Sequence, residues 1–546
     1  MKGLSVTARA LWFWAGDARS SASRQGLISG PWPARYQWQA VALLPPVALC
    51  LVARAATKRY LSAMPKTSLH WFRDDLRLAD NPALAAAVAE GPTLCVYVFD
   101  DGAARRALGG ASRWWLSRSL VALSASLAER SAELLILRGD PAQLVPRVAA
   151  LVDAGLVTWS RRYDGDSVAL DARIKSELVA SGRRVASFNA ALLNEPWQVT
   201  TKTGEPMKVF TPYWRAARAL GEPPAPFPAP GRIESPPLPA ELVALAVTLE
   251  DLALEPTTPD WAGGLREAWT PGEAGAAAAL TDFLAGPLDG YGEGRNRPDS
   301  VSTSRLSPHI RFGEIGPRQI WHATRSAIAS GETAAPEADA DKFLSEIGWR
   351  EFSYHLLFHN PELATRNYNP RFDAFPWRSD EDALSAWQRG KTGYPIIDAG
   401  LRELWTTGWM HNRVRMIVAS FLIKHLLIDW RAGEAWFWDT LVDADPANNA
   451  ASWQWVAGSG ADAAPYFRIF NPVTQGLKFD PDGLYVRRWV PEIAALPDAL
   501  IHEPWKADVG TLRRAGIGLG ETYPRPIVDL DAGRARALAA LAATKD

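Results

Sequence analysis

The stretch DADPANNAASWQW, Asp443 to Trp455, holds two carboxylates two residues apart, then the amides of Asn448 and Asn449, then the indoles of Trp453 and Trp455. Acids so spaced can hold a divalent metal, and a metal-dependent transferase is one reading. A metal centre gathers further carboxylate or imidazole ligands, however, and the flanking sequence offers none. The two acids can instead accept hydrogen bonds from ligand hydroxyls and from a guanidinium such as Arg415. In GWMHNRVRM (408–416), Asn412 and Met416 lie four apart on one helical face with Arg415 beside them, and Arg413 points elsewhere. An amide beside a soft thioether suits a flat, partly polar ligand. The plainer alternative is a capped helix start with a surface arginine pair.

Three further segments can do chemistry. In FLSEIGWREFSYHLLFHNPE (343–362), Glu346 and Trp349 lie three apart on one helical face and matter if that face lines a cavity. In TSRLS, Thr303, Ser304, Arg305 and Ser307 sit at a loop-to-helix junction, where hydroxyls and free backbone N–H groups can hold an anion. An ordinary helix cap is the competing reading there. In APYFRIFNPVTQGLKFDPDG (464–483), Arg468, Gln475 and Lys478 can face phosphates, or stand solvated.

These residues must be positioned by the chain around them. It has 546 residues, 47% of them hydrophobic and 22% charged, as in a soluble globular protein of several domains. A net charge of −1 gives no overall field for nucleic acid, so a polyanion would need a local patch. Two cysteines, Cys50 and Cys95, exclude a disulfide scaffold and a cysteine zinc site, and suit a reducing compartment. There are 25 Trp, 11 of them between Trp349 and Trp489, which implies large buried surfaces, a flat ligand or an electron path.

Residues 1–63 carry eight Lys/Arg and a single acid, Asp17. Their apolar run 40–53 is 14 residues long, too short to span a membrane. A transit peptide and a translation start at Met64 both fit this leader. From Met64, five short apolar runs (68–73, 93–99, 133–139, 156–163 and 184–190) alternate with helical segments. This pattern predicts a doubly wound parallel sheet over 64–195. It has neither glycine-rich nucleotide loop, G-x-G-x-x-G or G-x-x-x-x-G-K-S/T. A linker over 196–269 includes eight prolines between 221 and 239. Residues 270–510 read as helices, among them RVRMIVASFLIKHLLIDW (413–430), and 511–546 as a tail ending in a short Ala-rich helix.

Taken in order, LHWFRDDLRLADNPAL (69–84), KVFTPYWRA (208–216), TSRLS, IGWREF, KTGYPIIDAGLRELWTTGWMHNRVRM (391–416) and DADPANNAASWQWVAGSGADAAPYFRIFNP (443–472) resemble the photolyase/cryptochrome family. The likeness runs to about Pro504 and is greatest to microbial cyclobutane pyrimidine dimer photolyases. It implies an α/β antenna domain joined to a helical domain that holds a U-shaped FAD. It further implies that Tyr291, Thr303, Ser304, Arg305, Leu306, Ser307 and Phe343 border the FAD, mainly at its phosphates. Arg415, Asp443, Asp445 and Asn449 would hold the ribityl and ring end, with Asn449 at the flavin N5. Plant photoreceptors of the family typically have Asp at that position.

The implied reaction is light-driven. Reduced FAD passes an electron to a flipped-out dimer, the cyclobutane ring opens, and the electron returns. Trp349 and Trp455 would wall the dimer, Glu346 would hydrogen-bond it, and Asn412 and Met416 would border dimer and flavin. The (6-4) photolyases use two histidines here; this chain has His411, but Met416 takes the second place. Trp453, Trp430 and Trp377 match the family's electron-transfer chain, and Arg295, Arg413 and Gln475 its DNA contacts. The implied partner is damaged DNA bound by a cytoplasmic, nucleoid-associated monomer. An antenna chromophore is expected, methenyltetrahydrofolate first and a deazaflavin second. Asp166-Ser167 replaces the Asn-Glu pair that binds folate in some relatives.

Overall fold

The computed structural model describes residues 66–102, 105–462 and 467–544. The leader 1–63 lies outside the described residues. The five apolar runs form strands β1 (Ser68–Phe72), β2 (Thr93–Phe99), β3 (Leu134–Arg138), β4 (Leu156–Ser160) and β5 (Arg184–Phe188). All pair in parallel, in the order β3-β2-β1-β4-β5. Every residue of β1, β2 and β4 is buried, which is why these strands read as continuous apolar runs rather than alternating ones. Helices Pro82–Glu90, Gly110–Ala128, Pro141–Leu151 and Gly165–Ala180 make the crossovers. The order reverses between β1 and β4, so a crevice opens beyond their carboxyl ends, where ligands bind in such folds.

Among the described residues no further sheet forms after β5, and the rest is helical. The prolines of 221–239 keep that segment free of helix and strand. Pro65–Asp546 pack as one compact unit. The β1 loop is fastened to the helical part by Arg77, whose fully buried guanidinium donates to the carbonyls of Ala79, Asp80, Ala190 and Gly313. Gly313 has φ +68°, and a Cβ there would sit 2.1 Å from the Asp74 carbonyl, so only glycine fits.

The largest apolar cluster lies in the helical part and contains Trp387, Trp430, Trp453, Tyr485 and Tyr523. The run 413–430, which the periodicity presents as one helical segment, is broken. A helix covers Asn412–Ser420, a single π turn follows over Phe421–His425, and the next helix starts at Trp430. Leu427 adopts φ +60° between them. The tail helix Leu530–Ala543 docks on that π turn, with Arg536 donating to the His425 carbonyl. No helix of the described residues is long and apolar enough to cross a membrane.

Candidate functional site

The opening acids have different partners. Arg415 donates through Nη2 to Asp443 Oδ2 at 2.8 Å, and its Nε is held by the Met410 carbonyl. Asp443 Oδ1 is buried with no partner. Asp445 Oδ1 instead caps the helix Asn448–Ala457, accepting from the backbone N–H groups of Ala447 and Asn448 and from the Asn448 side chain. Its Oδ2 accepts from the Tyr354 hydroxyl at 2.6 Å. Three donors crowd Oδ1 and one reaches Oδ2, which can accept a further bond. Asp445 holds the helix start and keeps that one site, while Asp443 Oδ1 has no partner at all. Among the described residues no group of three His, Cys, Asp or Glu side chains could hold a metal ion.

Asn449 is the second residue of that helix and is buried. Its amide nitrogen donates to the Glu434 carbonyl at 3.0 Å and to Glu434 Oε1 at 2.8 Å. Both partners are acceptors, so the nitrogen faces Glu434 and the amide oxygen faces away.

Arg305 has φ +51° and lies between the rings of Trp269 (4.1 Å) and Trp409 (5.2 Å), with a buried Nε that has no partner. Burial pulls its pKa down and Glu403 opposes the fall. TSRLS does lead into a helix, Ser307–Arg311, but with five residues its dipole is weak. The strong anion partner here is the clamped guanidinium. Thr303 and Ser304 are half-buried beside it, Leu306 is buried, and Ser307 Oγ accepts from Trp409 Nε1. Tyr291 and Phe343 meet edge to face at 5.6 Å with Phe283 against both, an apolar wall. The bare Asp443 oxygen, the outward-facing Asn449 amide oxygen and the stacked Arg305 cation suit a ligand with hydroxyls and a ring N–H at one end and a diphosphate at the other. FAD has both.

Glu346 and Trp349 share the helix Glu337–His359. Glu346 is held by Arg295 Nη1 and lies 3.3 Å from Lys342 Nζ. Trp349 stacks on Phe210 at 3.7 Å. Asn412 is exposed at the start of its helix. Arg413 does not point away from that face, as its position suggested. Its Nη1 comes within 3.7 Å of Met416 Sδ, its Nη2 donates to Asn296 Oδ1, and it lies over Phe479. The helix turns Arg413 and Met416 onto adjoining faces three residues apart, within reach of a long side chain. Trp455 is half-buried, with its Nε1 on the Asp462 carbonyl. Gln475 is half-buried on the helix Pro472–Phe479.

His411 caps the helix that starts at Asn412, its Nδ1 accepting from the Arg413 N–H. Burial, then Arg413, Arg415 and Arg295, depress its pKa to about 3. It is neutral at ordinary pH and no proton donor of the acid type.

Trp453 and Trp430 are fully buried, and Trp377 is partly exposed. Trp453 packs on Gly433 and meets Phe437 at 5.0 Å and Trp387 at 6.3 Å. Trp430 Nε1 donates to Asn367 Oδ1, and Trp377 rests on Phe375.

The switch-point crevice is lined by Asp74, Tyr97, Asp100, Arg105, Arg106 and Arg162. Arg105, Arg162 and Arg311 converge on the single carboxylate of Asp74. They hold its pKa far below the usual range against the opposing effect of burial. Asp166 is exposed in the first turn of its helix.

Sequence reading did not single out Glu434, Arg106, Tyr354, Trp269 or Trp409. The one local signal was Glu434 in WRAGEAWFWDT, an acid between Trp430 and Phe437 on the buried face of an aromatic-rich helix.

A parallel α/β sheet joined to a helical part with this cradle fits the class of proteins that hold a flavin dinucleotide. The FAD binding domain of DNA photolyase matches residues 343–543, and the DNA photolyase domain matches residues 68–231. A deoxyribodipyrimidine photo-lyase of Agrobacterium fabrum is 53% identical over 479 residues, 87% of this chain and 97% of its own length. Cryptochrome-1 of Arabidopsis thaliana is 41% identical over 86% of this chain and 69% of its own length. The crystal structure of a bacterial class III photolyase from Agrobacterium tumefaciens superposes with TM-score 0.84 at 52% identity, covering 88% of this chain and 98% of that one. The chain belongs to the photolyase/cryptochrome family.

Proposed function

We propose that the protein binds FAD in its helical part and repairs cyclobutane pyrimidine dimers in DNA under blue light. The observation that carries this reading is the buried Asp443 Oδ1, which has no partner although Arg415 fixes the other oxygen. Reduced FAD, when bound, supplies one electron under light and takes it back after the ring has opened. The chain's own residues do the rest. Asp443 accepts from the ribityl and ring end, Arg305 with Thr303, Ser304 and Ser307 meets the diphosphate, and Tyr291, Leu306 and Phe343 form the wall. The Asn449 oxygen faces the N5 edge. Asp445 and Tyr354 hold the helix start that presents it.

At the mouth, Trp349 and Trp455 stack on the flipped bases, and Glu346 hydrogen-bonds them on exchange of its bond with Arg295. Asn412 and Met416 line the border between dimer and cofactor. Arg295, Arg413 and Gln475 meet the DNA backbone. Trp453, Trp430 and Trp377 conduct electrons inward from solvent; the burial of the first two and the partial exposure of Trp377 support this. An antenna chromophore, a folate before a deazaflavin, would take the crevice between β1 and β4, where the arginines around Asp74 leave an excess of positive charge.

The second reading, a cryptochrome-type receptor without repair, is favoured by the likeness to the Arabidopsis protein. Illumination of the reduced protein with DNA carrying a cyclobutane dimer decides between them. Restored thymines support repair. Bound FAD with no restoration leaves the receptor reading, and absence of FAD removes both.

A further inference from the structure

Glu434 is almost wholly buried, yet it carries a carboxylate. Arg106, from the loop after β2, grips it with two bonds, Nη1 to Oε1 at 2.8 Å and Nη2 to Oε2 at 3.1 Å. No other cation among the described residues pairs with it. The guanidinium itself stacks on Trp438 at 4.2 Å. The Oε1 that Arg106 holds is the oxygen to which the Asn449 amide donates. Arg106 also lines the switch-point crevice. One fork therefore joins the α/β part to the amide at the proposed flavin edge.

We infer that Arg106 is a positioning residue that holds the Glu434 carboxylate in place, and thereby keeps the oxygen of Asn449 turned towards the flavin N5. The inference rests on Asn449 being the flavin neighbour. A buried carboxylate that loses its cation has two outcomes. It can stay ionised and leave an uncompensated negative charge near the ring. It can instead take a proton and donate to the Asn449 oxygen, which frees the amide to turn its nitrogen to N5. The first opposes an anionic reduced flavin, and the second favours the oxidised ring, whose N5 is an acceptor. Both act in the same direction.

The test uses the full chain purified with FAD, as wild type, R106Q, R106K and N449D. The midpoint potential of the bound flavin and its reoxidation by dioxygen are followed from pH 6 to pH 9. R106Q is expected to lower the potential and to speed reoxidation about tenfold, the size of one charged hydrogen bond. R106K, which keeps the charge without the fork, should lie between it and wild type. Wild-type values in R106Q, with N449D shifted, overturn the role of Arg106 alone. Equal shifts in R106Q and R106K with a matching fall in Tm overturn it in favour of plain packing. No shift in N449D removes the reading of Asn449, and this inference with it.

Discussion

Arg415 and Asp443 are joined through one oxygen only, Nη2 to Oδ2 at 2.8 Å, and the second carboxylate oxygen is buried and bare. That asymmetry predicts the effect of Asp443→Asn. The variant loses the charge that anchors Arg415 and one strong acceptor for the cofactor. A hydrogen bond to a charged group is worth about 1.5–3 kcal/mol, so FAD affinity should fall roughly 10- to 150-fold. Fluorescence titration of the flavin-free protein checks this, and an unchanged Kd would contradict the assignment.

Gly433 is where the electron path and the packing meet. A Cβ at this position would lie 2.1 to 2.7 Å from three ring atoms of Trp453. Gly433→Ala must therefore displace the indole, at about 1–3 kcal/mol, the usual cost of overpacking. Thermal unfolding should show the loss. Photoreduction of oxidised flavin should slow as it does in Trp453→Phe, while repair by chemically reduced protein stays largely intact in both. Equal loss of repair and photoreduction would count against an electron-transfer role for Trp453.

How far the sequence reaches is clear from these residues. The five strands were legible because buried parallel strands are continuous apolar runs, and Arg415 with Asp443 because charges of opposite sign in motif context invite pairing. The break at Phe421–His425 was hidden, because a π turn preserves the apolar character of a helix and changes only its register. Arg106 and Glu434 are 328 positions apart, and no local pattern links them. The bond from Tyr354 to Asp445 was also out of reach, since Tyr354 comes from a helix 91 positions away.

Arg295 and Glu346, both assigned to the DNA face, hold each other. Arg295→Ala should weaken binding of dimer-containing DNA and reduce the slope of log K against log salt by about 0.9, one phosphate contact. Glu346→Ala should lower the repair yield with FAD still bound. The double variant should lose less than the sum, because either single change already breaks their ion pair. Filter binding across salt concentrations and a repair assay on the same preparations measure all three. Strict additivity would contradict a shared role.

A last prediction concerns stability and pH. Glu351 is fully buried on the helix Glu337–His359 and holds the chain after β5 by accepting from the N–H groups of Leu193 and Asn194. Burial raises its pKa to about 7, against the pull of Arg350 and those two N–H groups and with a small push from Glu195. The native state thus binds this proton more tightly than the unfolded chain, where the value is 4.5. Stability from this group is intact below the unfolded value and is lost as pH rises towards 7, by about 3 kcal/mol at most. Glu351→Gln keeps an acceptor for both N–H groups and removes the charge. The variant should therefore melt higher than wild type at pH 8, and the difference should close by about pH 5. Urea unfolding at several pH values reads this directly. A variant less stable than wild type at pH 8 would mean that the ionised carboxylate is held by its N–H donors and Arg350 more strongly than burial opposes it.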